Sequence, residues 1–226
     1  MTSSAAGPSI MNAGDRALLV DVREHGTLLR LVNALRRNPI EGVQDILPAA
    51  NTLLLTLLSP KVSERVRREI DGLLRGLAES GVAAVSRETL QDNDFAEEPL
   101  AVPVRYDGAD LAEAARLLDL GPEELIAAHT GTIWRCAFVG FAPGFGYLEP
   151  PDGRLSVPRR AAARTAIPAG AVGLAGGYSA VYPRSTPGGW QLIGTAEATM
   201  WDVERDPPAL IRAGARVRFF DVAAPR

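Results

Sequence analysis

After His129 the chain offers no stripe of apolar residues at helical spacing, and its hydrophobic side chains fall into short runs broken by glycine and proline. TIWRCAFV, AVGLAGGYSAVY, GWQLIGTA and ARVRFFDV are rich in β-branched and aromatic residues, and the segments between them carry turn formers. Many short strands joined by such turns have few stable arrangements, because every unpaired edge is open to further pairing. A closed or nearly closed antiparallel barrel removes the edges, and it is the architecture expected here. Two helix signals precede it, DLAEAARLL, where Asp110 and Glu113 have near-capping-box spacing, and PEELIAAH.

The first part of the chain alternates its periods in a different order. RALLVDV at Arg16 to Val22 reads as a strand, and Thr27 stands where it can cap a helix with Leu28, Leu31, Val32 and Leu35 on one face. VQDIL and NTLLLTLL flank Pro48-Ala49-Ala50 as a pair of strands. Ser59-Pro60 then supplies an N-cap and a first-turn proline for a helix with Val62, Val66, Ile70, Leu73, Leu74 and Leu77 on its inner stripe. With a last strand near Val82 to Val85, this is a split βαββαβ, ferredoxin-like unit. The acidic DNDFAEE at Asp92 to Glu98 reads as a linker, so the fold class is α+β, with a first domain over residues 10–91 and a barrel domain over 99–226.

Charge and composition narrow the function. The 24 basic and 27 acidic residues are mixed along the chain without a basic stripe, which argues against nucleic acid as a partner. No apolar run approaches the roughly 20 residues that cross a bilayer, and MTSSAAGPSI lacks the order of a secretion signal, so no membrane partner and a cytoplasmic location are expected. One cysteine and two histidines leave no spacing for a structural zinc site, and no metal is expected. Lys61, the single lysine, stands outside any Gly-Lys-Ser/Thr phosphate loop.

Self-sufficient catalytic motifs are incomplete. Gly177-Tyr178-Ser179-Ala180-Val181 has the first glycine and the serine of a nucleophile elbow, lacks the closing glycine, and needs a histidine that sequence alone does not place beside it. Cys136 alternates with Trp134 and Phe138 on one strand face, as a small buried hydrophobe does. His129, three and four residues after Ile126 and Leu125, points with the core face. It suits either a buried or C-terminal histidine interacting with the last carbonyls of its helix, where the helix end favours the charged form, or a general acid/base at a domain cleft. Three loops remain: GFAPGFGYL at Gly140 to Leu148, VPRRAAART at Val157 to Thr165, and STPGGWQLIG at Ser185 to Gly194. Paired glycines let backbone approach a ligand, and Arg159, Arg160 and Arg164 are able to grip a carboxylate or phosphate.

The joint occurrence of GFAPGFGYL, of PRR with Arg164 and IPAGAVGLAGG, and of VYP with STPGGWQLIG resembles the family called allophanate hydrolase subunit 1, also known as the 5-oxoprolinase B subunit, which includes the kinase inhibitor KipI. The resemblance implies a ferredoxin-like domain joined to a cyclophilin-like barrel. It also implies one subunit of an ATP-dependent hydrolase of C–N bonds in cyclic amides or ureas, active as a complex. The active cleft would be shared with a partner like allophanate hydrolase subunit 2 or the 5-oxoprolinase C subunit, in a heterodimer or heterotetramer, with the ATP site on the partner or shared with it. Two alternatives travel with the family: inhibition of a sensor histidine kinase, and the carboxyltransferase half of a biotin-dependent urea carboxylase, where biotin would enter. Carried over residue by residue, the resemblance makes His129 the proton-moving residue. Phe141, Pro143, Gly144, Phe145, Tyr147, Arg159, Arg164, Tyr182, Gly188, Gly189 and Trp190 become the walls and anchors of a substrate cleft. Gly146 stands where relatives usually carry proline, and Gly194-Thr195-Ala196 where they usually carry Gly-Arg-Thr.

Overall fold

The computed structural model describes residues 7–23, 25–79 and 98–224. The chain divides into two compact units, Met1–Asn93 and Asp94–Arg226.

In the first unit β1 (Ser9–Asn12), β2 (Ala17–Asp21), β3 (Val43–Pro48) and β4 (Thr52–Leu57) form an antiparallel sheet in the order β1-β2-β4-β3. Alternation in β2 and β4 turns Leu18, Val20, Leu53, Leu55 and Leu57 to one face, where they are buried. They belong to one apolar core with Leu28, Leu31 and Leu35 of α1 (His25–Arg37) and with Val66, Ile70 and Leu74 of α2 (Ser63–Glu79). Ser59 Oγ accepts from the Lys61 amide and caps a single 3-10 turn, Pro60–Val62, that leads into α2. Thr27 lies inside the first turn of α1, which starts at His25, and so is not its cap. The strand near Val82 to Val85 lies outside the described residues. The sheet edge beside β2, which a split βαββαβ unit gives to that last strand, is held by β1. A short connection with Gly14 at φ +87 joins β1 to β2 and makes this local pairing accessible.

In the second unit seven strands close a barrel in the order β10-β7-β6-β13-β5-β12-β9. These are β5 (Leu100–Arg105), β6 (Ile133–Val139), β7 (Gly146–Glu149), β9 (Ala171–Ala175), β10 (Tyr178–Val181), β12 (Gln191–Ala196) and β13 (Arg216–Asp221). The short strands β8 (Arg164–Ile167) and β11 (Thr186–Gly188) pair with each other as a separate arm. Two helices, α3 (Leu111–Leu117) and α4 (Pro122–Thr130), connect β5 to β6. The expectation of a wholly antiparallel barrel is corrected at one seam, because β13 runs parallel to β5. Parallel neighbours need a long crossover, and these two strands come from opposite ends of the unit. AVGLAGGYSAVY is two strands rather than one: Gly176 and Gly177, at φ +56 and +82, form the two-residue turn between β9 and β10. The barrel interior is filled by Trp134, Cys136, Leu148, Leu174, Val217 and Phe219 among others.

Candidate functional site

GFAPGFGYL joins β6 to β7. The Gly140 amide donates to the Phe145 carbonyl at 3.1 Å and the Phe145 amide to the Ala142 carbonyl at 2.9 Å, which folds the segment into a tight turn. Gly144 sits at φ +83, and a Cβ there would lie 2.9 Å from Trp201 Cβ and 3.0 Å from the Met200 carbonyl oxygen, so no other residue fits without displacement. Phe141 holds φ +65 without being glycine, a conformation that costs roughly 1–2 kcal/mol, and its ring is 56% exposed.

Phe145 is the ring that turns inward. It is buried and meets Phe141, Tyr147, Tyr182 and Trp190 edge-on, with centroids 5.0–5.6 Å apart. Tyr147 also stacks on Phe138 at 4.3 Å. These rings, together with Arg159 and the Pro187-Gly188-Gly189 turn, line a recess of about 100 Å³. A Cβ on Gly188 would stand 2.7 Å from Tyr182 Oη and 2.8 Å from Ile167 Cδ1, so that glycine is what lets the phenol reach the wall. Eight of the predicted substrate-binding residues therefore meet in one place: Phe141, Phe145, Tyr147, Arg159, Tyr182, Gly188, Gly189 and Trp190.

The three arginines of VPRRAAART separate sharply. Arg160 Nη1 and Arg164 Nη2 both donate to Asp110 Oδ1, at 2.5 and 2.8 Å, and the Leu192 amide donates to Oδ2 at 2.8 Å. Asp110 is only 3% exposed. Burial would raise its carboxyl pKa, but the Arg164 hydrogen bond, the Leu192 amide and the two guanidinium charges outweigh that and hold it below the usual range. Asp110 thus starts α3 without capping it, since its carboxylate is committed to the arginine loop. Arg164, expected as a substrate anchor, is tied up in this cluster and does not line the recess. Arg159 makes no ion pair or hydrogen bond among the described residues, is exposed, and lines the recess. Its charge lowers the phenol pKa of both Tyr147 and Tyr182 against a larger rise from burial, and Tyr182 stands at about 12. The Tyr182 hydroxyl is therefore a protonated donor at neutral pH.

His129 lies elsewhere. It is fully buried in the last turn of α4, with Nδ1 2.7 Å from Tyr106 Oη and Nε2 2.9 Å from Ser179 Oγ. Its ring stacks on Phe219 at 4.5 Å. Desolvation lowers its pKa to about 3, so it is the buried histidine of the first reading and neutral, and the charged form that a helix C-terminus favours is not realised. It does not line the recess, and enclosure on every side leaves it without the access that moving a substrate proton requires. Ser179 does have a histidine beside it, but it too is fully buried, so the pair is a packed polar link inside the barrel rather than a nucleophile. Pro143 and Gly144 face away from the recess onto a second, apolar one with Val139 and Trp201. Among the described residues no group of acidic, histidine or cysteine side chains is arranged to hold a metal, and no helix is long and apolar enough to cross a membrane.

Residues 8–211 match the family model for the carboxyltransferase domain, subdomain C and D. The chain is 32% identical over 223 residues to the 5-oxoprolinase B subunit of Bacillus subtilis, covering 95% of this chain and 92% of that one. It belongs to the 5-oxoprolinase B subunit family. Among solved structures, TTHA0988 superposes with a TM-score of 0.67 at 33% identity over 93% of this family member, yet the match spans only 40% of the longer TTHA0988 chain. The urea amidolyase of Kluyveromyces lactis superposes at 0.69 with 17% identity over 95% of this chain and 15% of its own, a likeness of fold.

Within this homologue of the 5-oxoprolinase B subunit, sequence reasoning missed Asp110 as the anchor of the arginine loop and Tyr106 as the partner of His129. Asp110 carried a usable signal, an acidic residue among apolar neighbours before a helix, but its near-cap spacing offered a nearer explanation.

Proposed function

We propose that this chain is one subunit of an ATP-dependent complex that cleaves the C–N bond of a small cyclic amide, of the 5-oxoprolinase type, with a partner like the 5-oxoprolinase C subunit. In this reading the first unit is ferredoxin-like in its succession of β2, α1, β3, β4 and α2, with β1 at the sheet edge beside β2, and the barrel is of the cyclophilin type. The observation that carries the proposal is the ring-lined recess in which Arg159 alone of the loop's three arginines has no carboxylate partner among the described residues.

The rings of Phe145, Tyr147 and Trp190 clamp a flat amide by its faces and edges. Arg159 grips a carboxylate on the ligand, and the Tyr182 hydroxyl donates to an amide or carboxylate oxygen. The Asp110 cluster fixes the loop that carries Arg159. A recess of about 100 Å³ is well below the roughly 300 Å³ or more of a drug-sized ligand site, so it suits a single small ring and not a nucleotide. ATP is accordingly assigned to a site outside this recess, with the phosphate chemistry on another subunit. His129 is given a positioning role within the barrel, because it is neutral and enclosed.

Co-expression of the full chain with that partner and the further subunits that purify with them, followed by ATP turnover assays with 5-oxoproline and with cyclic ureas, tests the reading. Substrate-dependent phosphate release is expected from the assembled complex. ATP turnover that ignores every such substrate overturns the proposal, and biotin-dependent carboxylation of urea in its place would assign the recess to carboxyl transfer.

A further inference from the structure

The GFAPGF turn separates two recesses. On the side away from the anion pocket lies a larger one, about 480 Å³, lined by Val139, Phe141, Pro143, Trp201 and Ile211, with Arg212 as its charged lining residue. Soluble proteins seldom leave large apolar side chains clustered in water without a use. Here Val139 is 48% exposed, Phe141 56% and Trp201 39%. Arg212 is exposed, and its guanidinium has no ion pair or hydrogen bond among the described residues. Phe141 lines both recesses, so whatever fills the larger one also bears on the ring at the mouth of the smaller.

The same fold in TTHA0988 is 40% of a longer polypeptide, so there the unit is covalently attached to additional chain. We propose that the Val139–Trp201 recess docks a segment of the second protein of the complex, one that presents a large apolar side chain to the recess and a carboxylate to Arg212, and that this contact sets Phe141 over the anion pocket. The proposal rests on the reading above that the chain works within a complex. An apolar floor with a single cation at the edge gives such a segment both affinity and register, since the charge pair fixes which way it lies.

The test uses the full chain and its partner of the 5-oxoprolinase C type, with dissociation constants measured by calorimetry. Val139→Asp places a charge on the apolar floor, and Arg212→Glu reverses the charge at its edge. Both positions are exposed enough to leave the fold intact, which melting curves verify. Each variant is expected to weaken the complex at least tenfold, whereas Leu58→Asp, a similarly exposed position in the first unit, stays within twofold of the parent. Parent-like affinity for both recess variants overturns the docking site, and it leaves the reading of function standing if the parental complex still turns over ATP with substrate. Failure of the parental chain to bind the partner at all overturns both. Self-association of this chain that Val139→Asp abolishes while partner binding persists assigns the recess to a second copy, and it likewise overturns the proposal.

Discussion

Replacing Asp110 with asparagine keeps the shape of the side chain and removes the charge that Arg160 and Arg164 share. Removing one partner of a fully buried ion pair costs about 3–5 kcal/mol, because the other is left desolvated. The carboxylate side chain is 4% exposed, but the arginine side chains keep 33% and 24% of their surface, so water takes up part of the released charge. The Leu192 amide still meets an oxygen. About 2–3 kcal/mol is expected after that discount. In a protein of this size that is a fall in melting temperature of roughly 4–12 °C, measured by circular dichroism on the isolated chain. The pH dependence supplies a second reading. The folded pKa of Asp110 lies below its unfolded value, so its stabilisation is present above about pH 4 and is lost as pH falls through the folded pKa. The gap between parent and variant should therefore be full at pH 7 and shrink in acid. A variant that melts within 1 °C of the parent at pH 7, or a gap that does not narrow as the carboxylate protonates, refutes the assignment of Asp110 as the ionised anchor of this loop.

Other consequences are open to direct measurement. His129 should show no titration between pH 5 and 8 by NMR, and its contribution to stability should be present above pH 6.5 and erode as pH falls toward 3; a midpoint near 6.5 would place the ring in contact with water. Gly188→Ala should fill the space beside Tyr182 Oη, destabilise by about 1–3 kcal/mol and raise KM for substrate, and unchanged binding would mean that the ligand sits elsewhere.

Much of the architecture was legible because it is written in period and punctuation. The inner stripe from Val62 to Leu77 and the alternation of Trp134, Cys136 and Phe138 survive in any tertiary context, since burial of those faces is what the fold requires. The edge strand Ser9–Asn12 escaped because four residues with two exposed leave almost no alternation to read. The parallel seam between β5 and β13 is a long-range choice that no local pattern encodes. At the site, the aromatic loop and the PGGW turn announced themselves by combining breakers with rings, and they do share one recess. The division of labour among the arginines was not legible. Spacing makes Arg159, Arg160 and Arg164 equivalent, and only the position of Asp110, about fifty residues earlier in the chain, decides which of them remains available. His129 misled for a related reason: helical spacing shows that it points inward, but not that Tyr106 and Ser179 occupy both of its nitrogens.

In the proposed function Arg159 holds the anionic end of a small amide, in a pocket that works within a complex. Steady-state kinetics of substrate-dependent ATP turnover by the complex carrying Arg159→Gln tests this most directly, with Arg159→Lys as the conservative variant. Loss of a charge-assisted hydrogen bond worth roughly 1.5–3 kcal/mol predicts KM raised about 10- to 150-fold with a smaller change in kcat, partly restored by lysine. A KM within twofold of the parent for Arg159→Gln would contradict that role.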